Sequence, residues 1–524
     1  MTIDWSLPYA STREAVCASQ IVATSQPLAA QAGLEMLAEG GNAVDAAIAT
    51  AITLTVVEPC SNGIGGDAFA IVKDQNGLHG LNASGKSPAL MPNSFNKSIP
   101  SVGWFPITVP GAVSAWVALS EKFGLLPFDR LFNPAIRYAC NGFLLSRQTA
   151  ESFANSLAKY EKCEEWRKTF LVDGKVPNTG DRITLPNHAS TLDEIAKSKG
   201  QSFYQGNLAN KIDAESQVAG GLLRKSDLSS HQCEWVKPLT INVGGHAFSE
   251  LPPNGQGLAA LIAMRILQIA DVDMSNCDTP YVLHMQIEAM KRAFADTHAY
   301  VADPEFCDQG QELLEESRIE QHVASITEEA SETHANTLPR YSSTVYVAAG
   351  DAKGIQVSFI QSNFEGFGSG IVIPDTGIAM QNRGRGFLIE QGHPNCIGPN
   401  KRPFHTIIPA FIELAEGGNV PFGVMGGPMQ PQGHVQVACR MLFAGQNPQA
   451  ALDAPRWRLS SGFKVHLEPG FADSAQNALL KMGHDIQFAD KRSVAFGGGQ
   501  VVYQLKEGYI GASDQRRDGQ AVGV

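Results

Sequence analysis

Ser343-Thr344-Val345-Tyr346-Val347-Ala348-Ala349-Gly350-Asp351-Ala352-Lys353-Gly354-Ile355-Gln356-Val357-Ser358-Phe359-Ile360 reads as two core strands joined by a tight turn. β-Branched and aromatic residues fill both arms, and Gly350-Asp-Ala-Lys-Gly354 supplies the turn chemistry. The chain just before it has a different composition. Between Gln309 and Ser343 the polar residues Glu, Gln, Ser, Thr and His dominate, and a helix-like piece gives way to Ser331-Glu-Thr-His-Ala-Asn-Thr-Leu-Pro339, which predicts an exposed linker. A flexible arm is thus expected to run straight into a buried hairpin, with Thr344 at the junction.

That junction has a chemical reading. A hydroxyl is a weak nucleophile and needs a base within hydrogen-bond reach; a threonine at a chain N-terminus can use its own α-amino group. The unperturbed pKa of an α-amine, about 7.7 to 8.0, leaves a useful neutral fraction near neutral pH. Residue type alone does not choose between this and a β-branched residue that simply opens a strand.

Outward from the hairpin, Pro27 to Val57 carries two amphipathic helical patterns, broken at Gly40-Gly41 and restarted by Asn42 as an N-cap. Ser61-Asn-Gly-Ile-Gly-Gly-Asp67 then makes a glycine-rich turn before a second hairpin, Ala68 to Asn82, around Asp74-Gln-Asn-Gly77. That turn lacks the Gly-Lys-Ser/Thr ending of a phosphate loop and precedes a strand, so a structural turn is the better reading. The region from about 125 to 300 is helix-rich, with Pro252-Pro-Asn-Gly-Gln-Gly257 opening a helix at Leu258. The last third is rich in glycine and strand, closing on the hairpin Val501–Leu505 and Tyr509–Ala512.

With 43% hydrophobic and 18% charged residues, the 524-residue chain can bury a large core. Its net charge of -12 disfavours nucleic acid and anionic membranes as partners. The short basic pairs Lys401-Arg402 and Arg516-Arg517 are expected on the solvated surface. Nine scattered cysteines without a CxxC suggest free thiols in a reducing compartment. The start of the chain does not read as a signal peptide, and the apolar stretch Ala47–Val57 is too short to span a bilayer, so a cytoplasmic protein is expected.

From Thr344 through Asp351 and Gly354 to Gln361-Ser-Asn-Phe-Glu-Gly-Phe-Gly-Ser-Gly370, the sequence resembles the start of the small subunit of γ-glutamyltranspeptidases, which are N-terminal-nucleophile hydrolases. Gly40-Gly-Asn-Ala-Val-Asp-Ala-Ala47, Gly63-Ile-Gly-Gly66, Val109-Pro-Gly111, Pro252–Gly257, Ala293-Phe-Ala-Asp296, Ala302-Asp-Pro-Glu-Phe306, Lys401-Arg-Pro403, Gly426-Gly427 and Gly511-Ala-Ser-Asp-Gln-Arg-Arg-Asp-Gly519 carry the resemblance along nearly the whole chain in the same order. It implies a four-layer αββα sandwich built from two self-cleaved subunits, 1–343 and 344–524, with the strands starting at Thr344 and Ile355 central. The bond between Ser343 and Thr344 would be the cleavage site, Thr344 the nucleophile, Ser362 a hydroxyl bonded to it, and Gly426 and Gly427 the donors of backbone N–H groups to the oxyanion.

The amino-acid-binding positions depart from that pattern. Ser84 stands where γ-glutamyl enzymes carry an Arg for the substrate α-carboxylate, and Gly386 where they carry an Asp for the α-ammonium. His405 and Thr406 replace two expected serines. A glutamate head group would lack its partners, whereas Arg383 and Arg385, beside Asn382 and with His405, could offer forked donors to a carboxylate. The expectation is an amidohydrolase or acyltransferase acting through an acyl-threonine on a small carboxylate-bearing amide such as oxamate. A true γ-glutamyl transferase or glutathione hydrolase is the alternative, and an inactive binding protein of the same fold a more distant one, disfavoured by joint retention of Thr344, Ser362, Gly426 and Gly427. No cofactor or metal is implied; the partners are the two subunits of one precursor, which could pair further into a homodimer of heterodimers.

Overall fold

The structure is a computed structural model that describes residues 12–95, 97–307, 309–332, 343–489 and 493–524. Two seven-stranded sheets dominate it. One runs in the order Val16–Ala18, Tyr509–Ser513, Gly498–Gln504, Asn419–Met425, Ala410–Glu413, His246–Glu250 and Leu239–Val243. The other runs Gln520–Gly523, Ile21–Thr24, Ser343–Gly350, Gln356–Phe364, Asp67–Asp74, Gly77–Asn82 and Glu234–Val236. The hairpin that begins at the Thr344 junction is therefore central to its sheet. Strands from both sides of position 343 interleave in both sheets, so neither side owns a sheet that could fold alone.

Side-chain alternation along the Thr344 strand assigns the layers. Val345, Val347 and Ala349 point into a core shared with the helices Pro27–Ala38 and Ala43–Val57. Tyr346 and Ala348 point the other way, into a thin core with Ile360, Phe69, Phe411, Met425 and Val502 that lies between the two sheets. The far face of the first sheet, through Phe248, Ile412, Phe422 and Val424, packs on the helices Leu258–Ile269, Pro280–Tyr300 and Met429–Leu442. The result is a helix–sheet–sheet–helix sandwich, as expected. Each fully buried Val or Ile contributes about 1.5–3 kcal/mol, so parting the sheets at this core would cost far more than a domain's net stability.

Local chemistry fixes the hairpin on its helix. Asn42 caps Ala43–Val57 in a capping box with Asp45, as its type predicts. Asp351 folds the hairpin turn, its Oδ1 accepting from Lys353 N at 2.8 Å and Ile355 N at 3.1 Å, while Oδ2 accepts from Ala43 N at 3.0 Å. One carboxylate thus shapes the turn and satisfies an orphan donor at the first turn of the buried helix.

The basic pairs correct the sequence reading. Lys401, Arg402, Arg516 and Arg517 are all buried. Arg516 is gripped by Glu468 and Asp514, and Arg402 donates to Glu234 at 2.7 Å and to the Ser84 carbonyl at 3.1 Å. Charge runs lie on the surface only when no acid is folded against them, and pairing partners tens to hundreds of residues away are invisible to local patterning. The linker expectation for 333–342 lies outside the described residues; before it, Glu316–Ala324 is helical. Among the described residues no helix is long and apolar enough to cross a membrane, and all nine cysteines are free.

Candidate active site

Thr344 has no exposed surface, and its hydroxyl donates to Ser362 Oγ at 3.2 Å. Ser362 Oγ in turn donates to the carbonyl oxygen of Ser343 at 2.8 Å and accepts from Phe364 N at 2.8 Å. The pairing of the two strands slips between Ser343 and Val345, a bulge that falls on Thr344 itself. One serine therefore touches both the threonine hydroxyl and the carbonyl of the peptide bond preceding it.

Two residues on, Phe364 adopts φ +77, a region bulky side chains rarely occupy and which costs about 1–3 kcal/mol. Its ring carries the Arg383 guanidinium, 4.3 Å from the ring centre. Arg383 has no exposed surface; Nη1 donates to Thr406 Oγ1 at 2.8 Å, while Nε and Nη2 meet no acceptor among the described residues. Burial lowers its pKa to about 9 against the opposing pull of Asp67 and Glu365, so it stays charged at neutral pH.

The contacts continue to the glycine pair. Gln256 Nε2 donates to the Thr406 carbonyl at 2.6 Å and to the Gly427 carbonyl at 2.8 Å. Gly426 and Gly427 hold φ +130 and +60, values that L side chains rarely adopt, at the end of the Asn419–Met425 strand and just before the Met429–Leu442 helix. Backbone N–H groups there sit at the positive end of a helix dipole, which favours a developing anion.

The remaining expected residues divide. Arg385 is a third exposed and pairs through Nε with Glu365 at 3.3 Å, a carboxylate also held by Lys159 at 3.1 Å. Asn382 ties loops together, donating to Ser101 O at 2.9 Å and Glu365 Oε2 at 3.2 Å. Ser84 is buried and donates to Asn82 Oδ1 at 2.7 Å, so its hydroxyl is engaged within the scaffold. His405 is buried edge-on against Phe69 and bonded to Asp67 Oδ2 at 3.1 Å; burial first, and Arg383 second, keep the imidazole neutral.

Sequence reasoning passed over Asp67, Phe364 and Glu365. Asp67 was legible as an acid ending a glycine turn and opening a core strand. Gly66 is required because a Cβ there would lie 2.6 Å from the Ser362 carbonyl oxygen. A second unforeseen cluster, His284, Glu288 and His484, gathers ligand-type atoms within 4.8 Å, but Glu288 is spent on Lys291 and Arg292.

This arrangement, a threonine on a central strand of one of two facing sheets with a hydroxyl partner and a glycine pair at positive φ, agrees with what the comparisons find. The gamma-glutamyltranspeptidase family model matches residues 29–524, and the chain belongs to that family of N-terminal-nucleophile hydrolases and acyltransferases. It is 33% identical to the glutathione hydrolase-like YwrD proenzyme of Bacillus subtilis, over 96% of this chain and 98% of that one. It is 34% identical to the oxamate amidohydrolase proenzyme of Klebsiella pneumoniae, over 95% and 97% respectively. Among solved structures, the cephalosporin acylase of Bacillus halodurans superposes with a TM-score of 0.95 at 43% identity, over 100% of this chain and 99% of that one. Both of these curated relatives are named as proenzymes.

Proposed function

We propose that this chain cuts itself between Ser343 and Thr344 and then uses Thr344 as an N-terminal nucleophile on small amides that carry a carboxylate, oxamate being the simplest case. In maturation, Thr344 Oγ attacks the Ser343 carbonyl carbon, its proton passing to Ser362 as the Ser362 proton moves toward the carbonyl oxygen. The C–N bond breaks as the proton passes from that oxygen to the departing nitrogen and the carbonyl re-forms, the nitrogen leaves as the Thr344 amine, and water hydrolyses the resulting ester. In turnover the same oxygen attacks the substrate amide, with the freed α-amine as base and the Gly426 and Gly427 N–H groups facing the oxyanion. Release to water completes hydrolysis; release to an amine would be transfer.

The observation that carries the substrate reading is Arg383: a buried, charged guanidinium with two donor atoms that meet no acceptor among the described residues, three contacts from Thr344 through Phe364 and Ser362. A carboxylate is the ligand that satisfies such a fork. An α-ammonium finds less, since Gly386 offers no acid and Glu365 is already held by Lys159, Arg385 and Asn382. The similarity to an oxamate amidohydrolase and to a cephalosporin acylase supports the reading, and nine unpaired thiols support a cytoplasmic setting. The test compares oxamate with a γ-glutamyl anilide, using wild type and Arg383→Gln. Loss of a buried charged partner should lower kcat/KM for oxamate by about 30-fold or more, from roughly 2–5 kcal/mol. Efficient γ-glutamyl cleavage unaffected by the substitution would establish the glutathione hydrolase reading instead.

A further inference from the structure

Asp67 stands directly across the strand pair from Ser362 and has no exposed surface. Its Oδ1 accepts from Gln381 Nε2 at 3.0 Å, Gly111 N at 3.1 Å and Gly85 N at 3.3 Å; its Oδ2 faces His405 Nε2 at 3.1 Å. Arg383 is the cation that acts on it, although no hydrogen bond joins the two among the described residues. Tyr204, from the Gln201–Tyr204 turn, feels the same carboxylate and is itself held protonated by burial. Glu365, the other acid acting on Arg383, is neutralised by Lys159 and Arg385. Among the described residues this buried cluster thus brings together the Asp67 carboxylate, the Arg383 guanidinium with two donor atoms unmet, and a neutral imidazole.

Resting on the reading that Arg383 receives the substrate carboxylate, we infer that Asp67 takes up a proton as that carboxylate binds, so that the anion and a proton enter the site together. A second carboxylate around one guanidinium would leave an uncompensated negative charge out of water, and two acids sharing a site do not both stay ionised. The cage can accept the proton. When Oδ2 becomes a hydroxyl it donates to His405 Nε2, and the imidazole then carries its own proton on Nδ1, giving up the long 3.4 Å contact that it now accepts from Ile407 N. His405 is neutral before and after; the proton gained comes from solvent. In the free site burial raises the Asp67 pKa, with Arg383 opposing, to about 7, so the acid already stands near the midpoint at neutral pH.

The sign follows from linkage. A ligand that raises the pKa of Asp67 binds most tightly below the free value and weakens as pH rises through it, by at most about tenfold per pH unit. Asp67→Asn has the donor and acceptor pattern of the protonated acid and should lock the tight state.

The experiment is calorimetric titration of the processed protein with oxalate, which is fully ionised throughout, from about pH 6 to about pH 9, in buffers of differing ionisation enthalpy. Expected is a Kd that rises up to about tenfold per unit above about pH 7, with up to about one proton taken up per oxalate bound. Asp67→Asn should hold the low-pH affinity across the range. The Thr344 α-ammonium titrates in the same window, but any proton uptake it causes survives Asp67→Asn. A pH-independent Kd in the wild type, or a slope unchanged in Asp67→Asn, overturns the inference. Should Asp67→Asn fail to mature, the same titration of unprocessed Thr344→Ala, which has no α-amine at that position, decides: oxalate that binds there without proton uptake overturns the inference. Failure of oxalate to bind, or binding indifferent to Arg383→Gln, overturns the carboxylate reading beneath it; oxalate that needs Arg383 but brings no proton overturns the Asp67 inference alone.

Discussion

The hydroxyls of Thr344 and Ser362 lie 3.2 Å apart, and the Ser362 hydroxyl also donates to the Ser343 carbonyl at 2.8 Å. In the proposed mechanism this one side chain would serve both self-cleavage and turnover. Ser362→Ala should slow maturation and, in whatever enzyme matures, lower kcat by about 10-fold to 100-fold with KM little changed, from roughly 1–3 kcal/mol for one hydrogen bond to a reacting group. A time course of subunit appearance on a denaturing gel, followed by steady-state kinetics, reads both effects. Unaltered rates would remove Ser362 from the mechanism.

At Gly426, φ is +130, and a Cβ would lie 3.1 Å from Gly497 Cα and 3.2 Å from Met429 Cβ. Gly426→Ala should cost about 1–3 kcal/mol of backbone strain, seen as a lower Tm. If the Gly426-Gly427 N–H groups face the oxyanion, kcat should fall further than stability explains, by about 100-fold to 1,000-fold. A variant with lowered Tm and normal kcat at moderate temperature would confine the glycine pair to a structural role.

Acid should unfold the protein through the closing Gly511–Gly519 segment. Asp514 is fully buried; burial pushes its pKa up, but Arg456 at 2.7 Å and Arg516 at 3.1 Å more than offset this and hold it well below the carboxylate range. A folded pKa below the unfolded one gives stability that is present above about pH 4 and lost as pH falls toward the folded value. Asp514→Asn should be less stable near neutrality by about 3–5 kcal/mol, because Arg456 is left unbalanced, and its Tm should depend less on pH below about pH 4. Parallel acid slopes for the two proteins would contradict this.

Much of the fold was legible because it rests on local signals. Asn42 before an apolar run, Asp351 with Gly354 in a turn, and alternation through Val345, Tyr346 and Val347 each specify their element without help from afar. Contacts within the candidate site were legible where motif residues meet one another, as with Thr344 and Ser362. It was not legible where function is divided among distant strands. Asp67 and Ser362 meet only through sheet register, and the burial of Arg383 depends on Phe364 taking a conformation that no propensity favours. Arg385 was indistinguishable from Arg383 in sequence, yet two residues of separation put one beneath the surface and the other at its edge against Glu365. The surface expectation for Arg516 failed for the same reason at Glu468, which is 48 residues away, although its other acid, Asp514, is a near neighbour in sequence.

The central claim is that the working enzyme begins a chain at Thr344. Intact-mass measurement and N-terminal sequencing of purified wild type and Thr344→Ala test it together. The account predicts two chains for the wild type, one beginning Thr-Val-Tyr-Val, and a single inactive full-length chain for Thr344→Ala, with Thr344→Ser between them. An active wild type that remains one chain, or a Thr344→Ala protein that is processed and turns over substrate, would contradict it.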